Sequence, residues 1–150
     1  MKLSPDQKKV SEKMRPGVIT QGGFLGDDTR LLPEIIQKDE ERMEYLKTDW
    51  DMVSKVLRRF LKEGKKGLGE PITIDEKWLV KVDESRGFLP CPFGDGLHRK
   101  TTVTLKNKTN DKSLVYTALT LHLLKNHHFL QGKGSFFRLE PDTLKEVLEL

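Results

Sequence analysis

The clearest hydrophobic pattern in the chain lies at Trp50, Val53, Leu57, Phe60 and Leu61, spaced to form one face of a helix, with Lys55, Arg59, Lys62 and Lys66 on the opposite side. Thr48 or Asp49 opens this helix and Gly64 or Gly67 ends it. A second helical stripe, Leu32, Ile35, Ile36, Met43 and Leu46, predicts a helix over about 30–47, capped by Asp27, Asp28 or Thr29, with Asp39 on the same stripe. Ser4 and Pro5 open a short basic helix over 4–14, which Arg15-Pro16-Gly17 stops. The glycine-rich GVITQGGFLGDDTR reads as an extended loop, with Val18 and Ile19 dipping into the core.

Beyond Gly67 the period changes from helical to alternating. PITI (71–74) and WLVKVDE (78–84) read as strands around an Asp75-Glu76-Lys77 turn, and TTVTLKN (101–107) and SLVYT (113–117) as a second hairpin. FLPCPFGDGLH (88–98) reads as a long loop, because Pro90 and Pro92 lack the N–H that a ladder needs. Thr117 caps a helix over 118–127, GKGS (132–135) breaks the chain before a short extended FFRL, and Pro141 opens a last helix. Helices, then antiparallel strands, then helices again predict an α+β fold: one domain over 1–150, with three to five antiparallel strands and helices on one face. The helical part covers 1–67, the strand-rich part 70–117, and 118–150 holds the last helices and the glycine loop.

Composition narrows the class. The 150 residues suffice for one buried core, and a single cysteine excludes an intrachain disulfide, so the expected setting is a reducing cytoplasm. No apolar run reaches the roughly 20 residues of a membrane span, and no leader-like segment opens the chain. The net charge of +4 conceals alternating blocks, and residues 98–139 hold eight basic side chains against Asp111 alone. Such a block can attract an anionic small molecule, an acidic protein surface or nucleic acid, or it can be an ordinary solvated surface. For nucleic acid no supporting motif is present, and the 101–107 strand offers no aromatic stacking platform.

Two candidate sites follow. GKGSFFR (132–138) has the chemistry of an anion cradle, with turned backbone amides and donors from Lys133, Ser135 and Arg138; Arg99 and Lys100 join it by charge. It lacks the phosphate-loop spacing, and the simpler reading is a turn that folds Phe136 and Phe137 into the core. The second candidate is a transition-metal site, zinc for example, from Cys91, His98, His122 and His127, since the only cysteine and all four histidines lie within 91–128. Against it, His122 and His127 are five residues apart, about 140° around a helix, and His127 and His128 suit a helix C-terminus without any metal. Cys91 as a nucleophile lacks a supporting motif, and Asp27, Asp28 and Asp39 form only a weak acidic set. The basic cradle favours a binding or interaction module; a metal-dependent enzyme using Cys91 and the histidines is the alternative.

The blocks VITQGGFLGDDTR, RGFLPCPFGDG and LHLLKNHHFLQGKGSFFRLEP resemble a group of small bacterial hypothetical cytosolic proteins over roughly residues 15–140. The resemblance implies a bacterial, cytoplasmic, single-domain protein. No activity, cofactor or functional residue carries over from that group.

Overall fold

The helix over 50–64 organises the molecule. In a computed structural model describing residues 2–150, helices α1 (Pro5–Lys13), α2 (Leu32–Tyr45) and α3 (Trp50–Gly64) precede strands β1 (Ile72–Ile74), β2 (Trp78–Pro90), β3 (Leu97–Asn107) and β4 (Ser113–Thr117). Helices α4 (Ala118–His127) and α5 (Pro141–Leu148) follow. The fold is α+β: an antiparallel meander in the order β1-β2-β3-β4, with helices packed against it. Asp49 caps α3 by accepting from the Met52 amide, and Val53, Leu57 and Phe60 are fully buried on the sheet. At its end the helix backbone comes so close to β2 that a Cβ on Gly64 would stand 2.6 Å from Val82 and 2.8 Å from Val80. Only glycine allows that approach.

The strand register explains which sheet face is buried. Val80 pairs with Leu105, Val82 with Val103, Val103 with Tyr116 and Leu105 with Leu114, so one apolar ladder runs under the helices. Intervening residues such as Lys81, Asp83, Thr104 and Lys106 are exposed, as a period of two requires. The buried Tyr116 hydroxyl donates to the Leu57 carbonyl at 2.6 Å and ties β4 to α3. Trp78 Nε1 and Asn107 Nδ2 both donate to the Val147 carbonyl and fix the end of α5.

Helix α4 separates two apolar clusters. Leu121 and Leu124 join the main core, whereas Leu119 and Leu123 join Met14, Phe24, Leu32, Ile35, Cys91 and Phe129 in a second one. The chain runs α4 between them, which is why its apolar residues do not form a single stripe.

Several expected elements differ in detail. The loop expected over 88–98 shortens to six residues, because β2 continues through Pro90 and β3 begins at Leu97. Pro90 is tolerated as the last strand residue, and the ribbon absorbs an irregularity between Ser85 and Phe88, where Gly87 has φ +100°. Helix α2 starts at Leu32 with Leu31 at its cap position, not at an acidic cap. Asp28 instead receives Arg30 through two guanidinium bonds (2.8 and 2.6 Å) and accepts from the Lys133 amide at 3.1 Å, joining two loops. Val18 and Phe136 are exposed rather than folded inward, and residues 136–139 form no strand, with Phe136 and Phe137 in a turn; Arg138 and Leu139 point inward instead.

The Asp28 contacts give the first prediction. The Arg30 guanidinium holds the nearly buried Asp28 carboxyl well below the usual carboxylate range, against the opposing effect of burial. The stabilisation is therefore complete above the unfolded value of about 3.9 and is lost as pH falls below it toward the folded value. Asp28→Asn should cost about 2 kcal/mol at neutral pH, and its unfolding free energy should fall less steeply than that of the wild type below pH 4. Parallel denaturant curves at pH 7 and pH 3 check this; equal slopes would contradict it.

Candidate metal centre

The loop Cys91–Gly96, at the tip of the β2–β3 ribbon, folds against the C-terminal half of α4. Cys91 donates its amide to the Gly96 carbonyl, and Gly94 donates to the Cys91 carbonyl, both at 2.9 Å. This double closure, permitted by Gly94 and Gly96 at positive φ, turns Asp95 toward the helix. Asp95 then bridges two histidines: Oδ1 lies 2.9 Å from His122 Nε2, and Oδ2 lies 2.8 Å from His127 Nε2. Cys91 Sγ lies 3.8 Å from the same His127 nitrogen. One ligand atom from each of Cys91, Asp95, His122 and His127 lies within 4.8 Å of the other three.

The helical spacing argument therefore fails for His122 and His127. Their Cα positions do lie on different sides of α4, but imidazole is long enough for the two rings to swing toward one carboxylate, leaving their centroids 5.3 Å apart. Each ring is held from outside the cluster. Phe93 stacks on His127 at 3.9 Å and 7°, and Asn126 Nδ2 lies 2.9 Å from His122 Nδ1. His98 lies against His122, ring centroids 4.1 Å apart and tilted by 35°, but does not belong to the four-atom group. Its buried Nε2 has no hydrogen-bond partner among the described residues. Burial lowers the His98 pKa and favours the neutral ring. His128 lies elsewhere, stacked on Trp50 at 4.2 Å and paired with Glu40 at 2.7 Å.

The electrostatics separate the acid from the thiol. Burial disfavours the Asp95 carboxylate, but hydrogen bonds from Cys91, His122 and His127 outweigh it and hold the group well below the usual range. Burial, reinforced by the neighbouring Asp95, pushes the Cys91 thiol up to about 11. A thiol so poised is a poor nucleophile. The geometry also departs from a Cys–His–Asp triad, because Sγ and the carboxylate face the same nitrogen of His127, whereas a triad carboxylate holds the far one.

The glycine loop expected as an anion cradle is engaged internally. Arg138, 7% exposed, binds both oxygens of the 6% exposed Asp39 at 2.5 and 2.8 Å, and also meets Glu140 and the Gln131 carbonyl. These ion pairs raise its pKa further despite burial. Ser135 Oγ donates to Gln131 Oε1, and the Lys133 amide is taken by Asp28, while the Lys133 side chain is exposed. Gly132 is crowded against the Leu25 backbone, with its amide donating to the Phe24 carbonyl. Arg99 and Lys100 are exposed on β3; Arg99 lies over the Phe88 ring at 5.5 Å, and the Lys100 stem passes Gly87. A ligand anion at Arg138 would have to displace a carboxylate. Asp27 is exposed, and its amide donates to the Lys133 carbonyl.

Asp95 was the residue sequence reasoning missed. Its only mark in the chain is the C-x3-D spacing from Cys91, with Asp95 between Gly94 and Gly96, and that spacing does not encode the reach of the loop to α4. Comparison with known proteins finds no matching family model, curated protein or solved structure. Among the described residues, no helix is long and apolar enough to cross a membrane.

Proposed function

We propose that the protein binds one divalent transition-metal ion, zinc by its donor set, through Cys91, Asp95, His122 and His127. The observation that carries this reading is the convergence of four mixed donors, two from the 91–96 loop and two from α4, within 4.8 Å. A tetrahedral site with bonds near 2.0–2.3 Å has ligand–ligand edges of about 3.3–3.6 Å. The 3.8 Å between Cys91 Sγ and His127 Nε2 is close to that edge, and a small turn of the Asp95 carboxylate would free one oxygen for the ion. One thiolate, one carboxylate and two imidazoles suit zinc better than calcium or magnesium, which prefer oxygen ligands alone.

Binding would release the Cys91 thiol proton to solvent, and His122 would hold the ion through Nε2 with its ring proton carried on Nδ1. Asn126 can then turn its amide to accept that proton, which makes it a positioning residue. With four protein ligands the site is closed and joins ribbon to helix; with Asp95 displaced it has an open position for a substrate or water. The anion-recognition reading from the glycine loop is the less supported of the two, given the internal pairing of Arg138.

Protein purified without chelators and dialysed should carry close to one equivalent of zinc by mass spectrometry of the element. His122→Ala should abolish it, and Asn126→Ala should weaken affinity by about 10- to 100-fold. Substoichiometric metal that does not increase on zinc addition would overturn the reading.

A further inference from the structure

A cleft of about 340 Å³ opens between α3 and α4, beside the metal centre. Arg58, Lys62 and Lys65 line one side of it, and His98, His122 and Asn126 line the other. No carboxylate is among its lining residues. The pairing of charges along α3 is selective. Arg59, which points to the sheet edge, is held by Asp75 at 2.8 Å and by Glu63 at 3.5 Å. Lys65 has an exposed partner, Glu84, at 3.4 Å. Arg58 and Lys62 are exposed and have no ion-pair partner among the described residues.

Three cationic heads around one concavity, two of them without a partnering acid and the third shared with Glu84 at the rim, favour a multiply charged anion over a single carboxylate. The guanidinium of Arg58 offers a planar fork that matches two oxygens of a phosphate, and the lysines add mobile point charges. We propose that this cleft binds a phosphate group, held by Arg58 and Lys62 with Lys65 at the rim. Its placement beside an ion rests on the metal reading through the shared His122; the phosphate binding itself does not. The ligand class is accordingly a phosphate ester, either a small phosphorylated molecule or a nucleic-acid backbone.

The test starts with metal-free protein and inorganic phosphate, followed by phosphorus-31 line broadening at low ionic strength. Arg58→Gln/Lys62→Gln should weaken binding at least tenfold, while Lys55→Gln, which removes a charge on the same helix that does not line the cleft, should leave it within twofold. Circular dichroism confirms that these surface variants fold. Equal binding by wild type and double variant, or an equal loss with Lys55→Gln, would overturn the proposal. With cobalt in the metal centre, phosphate should perturb the visible bands over the same concentration range in wild type but not in the double variant. Failure to bind cobalt defeats the metal reading and leaves the metal-free comparison decisive. A single-stranded oligonucleotide that binds more than tenfold tighter than a nucleoside monophosphate identifies the nucleic-acid source; comparable affinities identify a small ester.

Discussion

Arg138→Met should lower stability by about 3–5 kcal/mol, because it leaves the Asp39 carboxylate buried without its partner. The two side chains are 7% and 6% exposed, and two hydrogen bonds of 2.5 and 2.8 Å join them. Asp39 comes from α2 and Arg138 from the segment before α5, so the pair fastens the helical N-terminal part to the C-terminal part across 99 positions. Arg138 also donates to the Gln131 carbonyl, so its loss frees an acceptor in the glycine loop. For a chain of this length the expected fall in Tm is about 10 °C. Asp39→Leu/Arg138→Met, which removes both charges, should recover most of that loss, since a buried pair replaced by apolar groups is often near neutral. Thermal unfolding of the two single variants and the double variant provides the cycle. A single variant within 1 °C of wild type would refute the structural role given to the pair.

Zinc at about 1,000 times its dissociation constant should stabilise the protein by about 4 kcal/mol, an increase in Tm of about 10 °C. The physical reason is that the four donors come from two elements, the ribbon tip and α4, which are otherwise joined by the Asp95 carboxylate, the Phe93–His127 stack and the apolar cluster around Cys91. An ion adds bonds that the unfolded chain, with those donors far apart, makes less well. His122→Ala/His127→Ala should keep the fold and lose the increase. An equal increase in that variant would place the bound zinc elsewhere.

The positions of helices and strands were largely legible because they depend on local periodicity. Ser4 caps α1 through a reciprocal bond pair with Gln7, Asp49 caps α3 and Thr117 caps α4, each in the place the sequence implied. Val80, Val82, Val103 and Leu105 alternate with polar neighbours and so declared a sheet with one buried face. Apart from the acidic cap expected for α2, where Leu31 stands instead, the expectations that failed are those requiring distant segments. Pro90 looked like a strand breaker, but it occupies the final ladder position opposite Leu97, where its missing N–H is tolerated. Phe136 looked like core, yet the core position beyond it is taken by Leu139, 1% exposed.

The candidate ligand set divides in the same way. Composition brought Cys91, His98, His122 and His127 into one list, and the fold kept three of them together while adding Asp95. His98 lies against His122 without joining the four donors. The class of fold, the caps of α1, α3 and α4 and the faces of the helices are legible in the chain alone, because they follow from spacings of two to four residues. The pairing of Arg138 with Asp39 and the reach of Asp95 to both His122 and His127 arise only in the folded molecule. Those contacts span between 27 and 99 positions, and their partners are chosen by how the ribbon, α2 and α4 pack, which no local period encodes.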